Sequence, residues 1–318
     1  MVDQTLGLQV DLAGLQLKVP LTVASGTFGP GQNFAELWLD QGLAKDRQPF
    51  SYLGALTTKG ISNVPWAGNP GVRIDETASG MLNSIGLENP GVEAFCQEDL
   101  VWLASQGVPI IVNVSGHTLD EYLEVIARLE QEPAVSAYEL NISCPNVDSG
   151  GMTFGVDALA AAELVSACRL ATKRPLIVKL TPNVTDITEI ACAAEAAGAD
   201  ALSLINTVAG MSIDLKSRKP VFDRVLAGLS GPAIKPIALW AVYRVYEAVD
   251  IPLIGMGGVR NASDVIEFML AGASLVAVGS HNFTDPLAIP RIYTELVDWC
   301  EKNEISEVKS LIGALHDA

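Results

Sequence analysis

One pattern recurs along the whole chain: a short apolar run, then an amphipathic or loop-rich stretch, then another short apolar run. Eight such runs stand out, at 21–25, 53–59, 109–115, 137–144, 176–181, 201–207, 252–258 and 275–280. Most are rich in Val, Ile or Leu without a polar–apolar alternation, as strands buried on both faces are. Between them lie helical patterns at 119–131, 157–172, 185–197, 232–249, 261–271 and 285–299. Thr185 or Asp186 can cap the third of these, Ser263 and Asp264 lie near the start of the fifth, and Gly198 and Gly272 follow two helix ends. Strand–helix alternation implies right-handed crossovers and a parallel sheet. Eight units favour a closed barrel over an open doubly wound sheet. The expected fold is therefore α/β, a single (β/α)8 TIM barrel over 1–318, a length that one barrel routinely uses. No internal repeat and no low-complexity linker divides it.

Composition then excludes several function classes. Hydrophobic residues make up 49% and aromatics 6%, which suits buried parallel strands under helices. The formal net charge of −17 repels phosphate backbones and argues against a nucleic-acid partner. The five cysteines, Cys96, Cys144, Cys168, Cys192 and Cys300, show no C-x-x-C spacing and give no set for an iron–sulfur cluster. Their odd number, and an opening stretch unlike a secretory signal, lead us to expect free thiols in a reducing cytoplasm. His117, His281 and His316 are too dispersed for an ordinary metal site, and no metal is expected. No apolar run reaches the roughly 18 uncharged residues of a membrane span, so no membrane association is expected.

Two stretches break the rhythm, 60–90 after the second strand and 208–232 after the sixth, both rich in Gly, Pro, Ser and Asn. In a barrel, insertions at the C-terminal ends of strands build the active site. The strand ends themselves are polar. Ser25, Lys59, Asn113, Asn141 with Cys144, Lys179, Asn206 with Thr207, Gly257 with Gly258, and Gly279 with Ser280 close the eight strands in turn. Two lysines and three asparagines on one rim would cost several kcal/mol to desolvate without a polar ligand to satisfy them. Strand seven ends in Gly-Met-Gly-Gly and leads to a helix near Asn261, and strand eight ends in Val-Gly-Ser. Glycine turns after the last two strands, with a helix N-terminus, form the recurrent phosphate site of barrels, so a phosphorylated ligand is expected.

The most specific segment is Asn-Ile-Ser-Cys-Pro-Asn at 141–146. With Lys179 in Val-Lys-Leu-Thr-Pro-Asn and Ile205-Asn206-Thr207, it resembles the class 1 dihydroorotate dehydrogenases. The resemblance runs over essentially the whole chain, through Ala24-Ser25-Gly26, Gly68-Asn69-Pro70, 81–87, 229–233, 255–259 and 271–273. It implies one FMN per chain and oxidation of (S)-dihydroorotate to orotate in de novo pyrimidine (UMP) biosynthesis. Cys144 matches the family's base, which takes the C5 proton while the C6 hydride goes to the flavin. A thiol titrates near 8.5, so activity should rise with pH. Lys179 matches the lysine beside the flavin pyrimidine ring, where a cation stabilises the reduced cofactor. Lys59 matches the lysine that touches both FMN and substrate. Ser25, Gly26, Gly60, Asn113, Asn141, Ile205, Gly231, Gly257, Gly258, Gly279 and Ser280 match further FMN contacts. Asn83, Asn141, Asn146, Asn206 and Thr207, with Ser84, Ile85, Gly86 and Leu87, match the orotate site. Asparagine suits a ring with alternating N–H and C=O edges, since each amide is donor and acceptor.

Within class 1, the stretches 83–91 and 141–147 look like the B-type, NAD-linked form. That resemblance implies a partner subunit carrying FAD and an iron–sulfur cluster, and a homodimer of this chain extended to a heterotetramer. Segments 60–62, 207–210 and 219–228 depart from some relatives. The alternatives are an A-type, fumarate-linked homodimer and an FMN-dependent dihydropyrimidine dehydrogenase module, which has no substrate carboxylate to bind.

Overall fold

The eight apolar runs become eight strands in a computed structural model, which describes residues 6–43, 48–142 and 154–316. They are β1 (Leu21–Val23), β2 (Leu56–Thr57), β3 (Ile110–Val114), β4 (Val135–Leu140), β5 (Leu176–Lys179), β6 (Ala201–Leu204), β7 (Leu253–Met256) and β8 (Ala273–Val278). Every residue of seven of these strands is buried, and β4 has one partly exposed position, Ser136. Burial on both faces explains the unbroken apolar runs. The strands form one 8-stranded sheet in the order β1-β8-β7-β6-β5-β4-β3-β2, and all seven pairings are parallel. Its two edges meet. The Gly54 N–H donates to the Leu21 carbonyl at 2.8 Å, and the hydroxyls of Thr22 and Thr57 lie 3.2 Å apart. The expected (β/α)8 barrel is the observed architecture.

Ten helices are described: α1 (Gln32–Asp40), α2 (Val92–Gln97), α3 (Asp99–Ala104), α4 (Leu119–Leu129), α5 (Ala158–Ala171), α6 (Ile187–Ala196), α7 (Lys235–Tyr246), α8 (Ala262–Leu270), α9 (His281–Thr284) and α10 (Ala288–Lys302). Local chemistry starts several of them. Thr118, Asp157 and Asp186 cap α4, α5 and α6 by accepting from the N–H groups of Glu121, Ala160 and Thr188. At α8 the cap is Asn261, and Asp264 reaches back to complete a capping box. The predicted helix at 285–299 begins later, at Ala288, as α10, and the short α9 precedes it. Asp285 precedes Pro286 and is extended (φ −140°, ψ 94°), since the proline ring disfavours helix in the residue before it.

Two features were not expected as regular structure. A hairpin, Val10–Leu12 with Leu15–Leu17, lies against the N-terminal end of the barrel, with Val10, Leu12 and Leu17 at 3%, 0% and 1% exposure. The two insertions, read as irregular loops, pair with one another. Strands Val208–Gly210, Ala227–Ser230, Gly80–Asn83 and Ile74–Thr77 form an antiparallel sheet in that order, with Asn83 opposite Gly228 and Met81 opposite Ser230. Beneath this sheet Leu82, Phe222 and Ala227 make a small apolar cluster separate from the main core. Among the described residues no helix is long and apolar enough to cross a membrane, and no group of three or more His, Cys, Asp or Glu is placed to hold a metal ion.

Candidate active site

The polar residues at the strand ends converge. Lys179, at the end of β5, is 4% exposed and its Nζ donates to Ser25 Oγ, just beyond β1, at 2.8 Å. The contact spans the barrel from one wall to the other. Burial holds the Lys179 ammonium below the usual lysine range, and the Glu139 carboxylate works against that shift. Lys59, after β2, is partly buried. Desolvation lowers its pKa too, Glu88 opposes the shift and Arg73 adds to it.

Asn113 on β3 is fully buried; its Nδ2 donates to Glu139 Oε1 at 2.5 Å, while its Oδ1 has no partner among the described residues. Nor has the buried Ser115 Oγ. Both atoms crowd Gly60, where an added Cβ would come within 2.9 Å of Asn113 Oδ1 and 2.6 Å of Ser115 Oγ. Buried polar atoms left without partners are rare and mark a place where a ligand supplies them. Asn141 is held by its backbone. Its N–H donates to the Val114 carbonyl at 2.9 Å and its carbonyl accepts from the buried Tyr122 hydroxyl at 2.8 Å. After β6, the Ile205 N–H donates to the Met256 carbonyl at 3.0 Å, and Asn206 Oδ1 accepts from the Thr207 N–H at 2.8 Å.

The glycine turns sit beside these groups. A Cβ on Gly257 (φ 129°) would lie 2.7 Å from that of Ala238, and one on Gly258 (φ 81°) 2.9 Å from the Gly231 carbonyl oxygen, so only glycine allows this approach. Gly279 lies against Ala24, Gly26 has open space above it, and Ser280 begins α9 without a side-chain cap. The structure alters one detail of the expected phosphate site. The start of α8 is filled by its own Asp264, whose carboxylate takes the Arg260 N–H at 2.8 Å and the Lys235 ammonium at 2.6 Å. A carboxylate there repels an anion. The helix start that remains beside the two glycine turns is that of α9, after Gly279 and Ser280.

The insertion sheet brings the expected substrate groups to the same rim. Asn83 Nδ2 donates to the Gly228 carbonyl at 3.2 Å, and Gly228 in turn packs on Thr207. The loop from Ser84 to Leu87 is pinned by two amides. Asn69 donates to Ser84 O and Ser84 Oγ at 3.1 and 3.0 Å, and its N–H donates to the Ile85 carbonyl at 2.9 Å. Asn89 donates to the Leu87 carbonyl at 2.9 Å and accepts from Ser62 and Gly91. Gly86 and Leu87 both have left-handed backbones, φ 74° and 54°. For leucine that costs of order 1–3 kcal/mol, a strain that the surrounding bonds must hold. Cys144 and Asn146 lie outside the described residues.

Two further supporting residues escaped the sequence reading. Asn183 braces the loop after β6, donating to the Thr207 carbonyl at 3.0 Å and accepting from the Ala209 N–H at 2.8 Å. Glu139 is the other. Its signal was present, an acid inside an otherwise apolar run that turns out to be 1% exposed.

The family model described as dihydroorotate dehydrogenase matches residues 7–299. The chain belongs to the dihydroorotate dehydrogenase family. A protein of Pelobacter propionicus named "Dihydroorotate dehydrogenase B (NAD(+)), catalytic subunit" is 52% identical over 306 residues, 96% of this chain and 97% of that protein. A Geotalea daltonii protein of the same name is 51% identical over 308 residues, covering 97% and 98% of the two chains. One from Lachnoclostridium phytofermentans is 50% identical over 306 residues, 96% and 98%. The fold is shared with a crystal structure of the dihydroorotate dehydrogenase of Eimeria tenella in complex with ferulenol. Its TM-score is 0.80 at 20% identity, covering 100% of this chain and 91% of that one.

Proposed function

We propose that the chain is the catalytic subunit of an NAD-linked dihydroorotate dehydrogenase, oxidising (S)-dihydroorotate to orotate in pyrimidine biosynthesis. The observation that carries the reading is the buried rim of a barrel in this family, where Lys179 donates to the neutral Ser25 hydroxyl and, among the described residues, Asn113 Oδ1 and Ser115 Oγ await partners. A flat heterocycle with N–H and C=O edges and a phosphate tail suits those donors and acceptors. FMN fits: Ser25, Lys59, Gly60, Asn113, Asn141, Lys179 and Ile205 would take its ring system, and Gly231, Gly257, Gly258, Gly279 and Ser280 its polar tail. When bound, FMN supplies the acceptor for the substrate's C6 hydride.

The chain's own residues do the rest. Cys144 acts as the base at C5, as a thiolate, so turnover climbs as pH approaches the thiol range near 8.5. Asn83, Asn141, Asn146, Asn206 and Thr207 orient the pyrimidine ring. The backbone of Ile85, Gly86 and Leu87, with the cationic Lys59, receives the substrate carboxylate. Two left-handed residues preset that loop, which limits the ordering cost on binding. The names of the relatives support NAD as final acceptor and a partner electron-transfer subunit, which in this reading carries FAD and an iron–sulfur cluster. The reading places the assembly in the cytoplasm as a heterotetramer built on a dimer of this chain.

The test is an anaerobic titration of the purified chain with dihydroorotate, following flavin absorbance near about 450 nm. Bleaching is expected. A yellow protein that does not bleach with dihydroorotate but does with dihydrouracil would transfer the assignment to a dihydropyrimidine substrate. A chain that cannot be reconstituted with FMN would overturn the reading.

A further inference from the structure

Glu139 occupies a position on β4 where the barrel calls for an apolar side chain, and the reading above gives it no task. It is 1% exposed, its Oε1 accepts from Asn113 Nδ2 at 2.5 Å, and its Oε2 accepts from Ser203 Oγ at 2.7 Å. An ionised carboxylate can only accept hydrogen bonds. Asn113 must therefore turn its NH2 toward Glu139, and its Oδ1 is left as the free edge beside Gly60.

A carboxylate buried this deeply needs a compensating cation. Strand β5 supplies it in Lys179, itself 4% exposed. Among the described residues, groups from three strands face Lys179. Strand β4 offers the Glu139 charge, β6 places Ser203 in register with Lys179, and the end of β1 offers the neutral Ser25 hydroxyl. Lys59, the other lysine of the rim, answers instead to Glu88 and Arg73.

We propose that Glu139 is a positioning residue for the cofactor site: it keeps the charge on Lys179 and fixes the Asn113 amide so that Oδ1 is presented as an acceptor. This rests on the FMN reading. Lys179 is subject to two opposed influences, burial that favours the neutral amine and Glu139 that favours the ammonium. Removing Glu139 takes away the charge that opposes burial, so Lys179 gives up its proton at lower pH. It also frees Asn113 to flip and turn its NH2 toward the ligand, replacing an acceptor with a donor. Both changes weaken a ligand that needs one cation and one acceptor at that place.

The test uses flavin-stripped protein, refilled with FMN and followed by quenching of flavin fluorescence from mildly acidic to alkaline pH. Wild type, E139Q, K179M, the E139Q/K179M double variant and S203A are compared. E139Q preserves size and hydrogen bonds while removing charge. It should bind FMN about tenfold more weakly, with the loss setting in at lower pH than in wild type. In the K179M background the same change should cost clearly less, since only the Asn113 contribution is left. S203A, which removes a hydrogen bond to Glu139 but no charge, should keep the wild-type pH profile. An E139Q profile that overlays wild type, or an equal loss with and without Lys179, would show that Glu139 does not hold the charge on Lys179 and overturn the proposal. Should E139Q not fold, the wild-type protein still decides: the 13C shift of Lys179 Cε, assigned with K179M, should report an ammonium near pH 8, and a neutral amine there refutes the idea. Failure of wild type to bind FMN at all would remove the functional reading itself.

Discussion

The two ends of the barrel are made by the same eight strands and have opposite chemistry. The N-terminal end is closed by a hairpin that buries Val10, Leu12 and Leu17, and Gly54 fits beneath it so tightly that a Cβ would lie 2.1 Å from the Val19 carbonyl oxygen. The C-terminal end buries Asn113, Glu139, Asn141 and Lys179 at 0–6% exposure. At one end burial is nearly all gain, since apolar area leaves water at roughly 25 cal/mol per Å². At the other, each desolvated amide or charge is a cost offset by its partners. A fold can sustain the second end because the first is so well packed, and this division is the general rule for such barrels.

If that division is right, changes at the two ends separate cleanly. The largest effect should come from the polar end. Cys144→Ala should cut turnover near neutral pH by roughly 10²–10⁴-fold, the usual contribution of a general base, while FMN stays bound. Steady-state kinetics with flavin content measured on the same sample checks this, and near-normal turnover would remove Cys144 from the base role.

Leu12→Ala is the mirror experiment. Leu12 is fully buried under the barrel floor, and a leucine-to-alanine cavity there should cost about 2–5 kcal/mol of stability. Urea unfolding measures it. Flavin content and turnover per folded molecule should not change. A kinetic defect in that variant would show that the two ends are coupled and break the comparison.

How much of this was legible beforehand follows from where the information sits in the chain. The eight strands were readable because burial on both faces writes itself as an uninterrupted apolar run, as at Ile110–Val114 and Ala273–Val278. The rim was readable because Lys59, Asn113 and Lys179 interrupt or end such runs. The sheet over the rim was not, because Gly80–Asn83 pairs with Ala227–Ser230 far along the chain, and each segment alone has too little β-pattern to show it. The floor hairpin is a three-residue pair closed by Ala13 and Gly14 in left-handed conformations, too short for a periodic signal. Glu139 was less legible because it sits one layer below the strand ends, inside a run whose other residues are apolar or belong to the rim. The supports of the 84–87 loop, Asn69 and Asn89, look like ordinary loop residues until their hydrogen bonds are seen.

A third prediction concerns the charge buried at the polar end. Lys179 has its folded pKa lowered by burial, so between that value and the ordinary unfolded value of 10.5 the unfolded chain holds more protons than the folded one. Flavin-free protein should therefore gain stability from this group as pH rises through that window, at a slope approaching ~1.4 kcal/mol per pH unit for a whole proton. The destabilisation is fully present below the folded pKa. The measurement is the wild-type minus Lys179→Met difference in unfolding free energy from neutral to alkaline pH. It should move in favour of wild type as pH rises, and a flat difference would mean that Lys179 keeps its proton throughout.

The smallest effect belongs to the layer between the ends, where the barrel closes. Thr22 and Thr57 are both buried, at 0% and 3% exposure, and their hydroxyls meet across the seam at 3.2 Å. Thr57→Val removes one hydroxyl and leaves the other desolvated, at a cost of about 1–3 kcal/mol. Replacing both with valine removes the pair together, which is close to neutral for a hydrogen bond lost on both sides. The double variant should thus unfold nearer to wild type than the single one does. If the losses simply add, the seam depends on something beyond that hydroxyl pair, and the Gly54 N–H bond to the Leu21 carbonyl becomes the contact to probe.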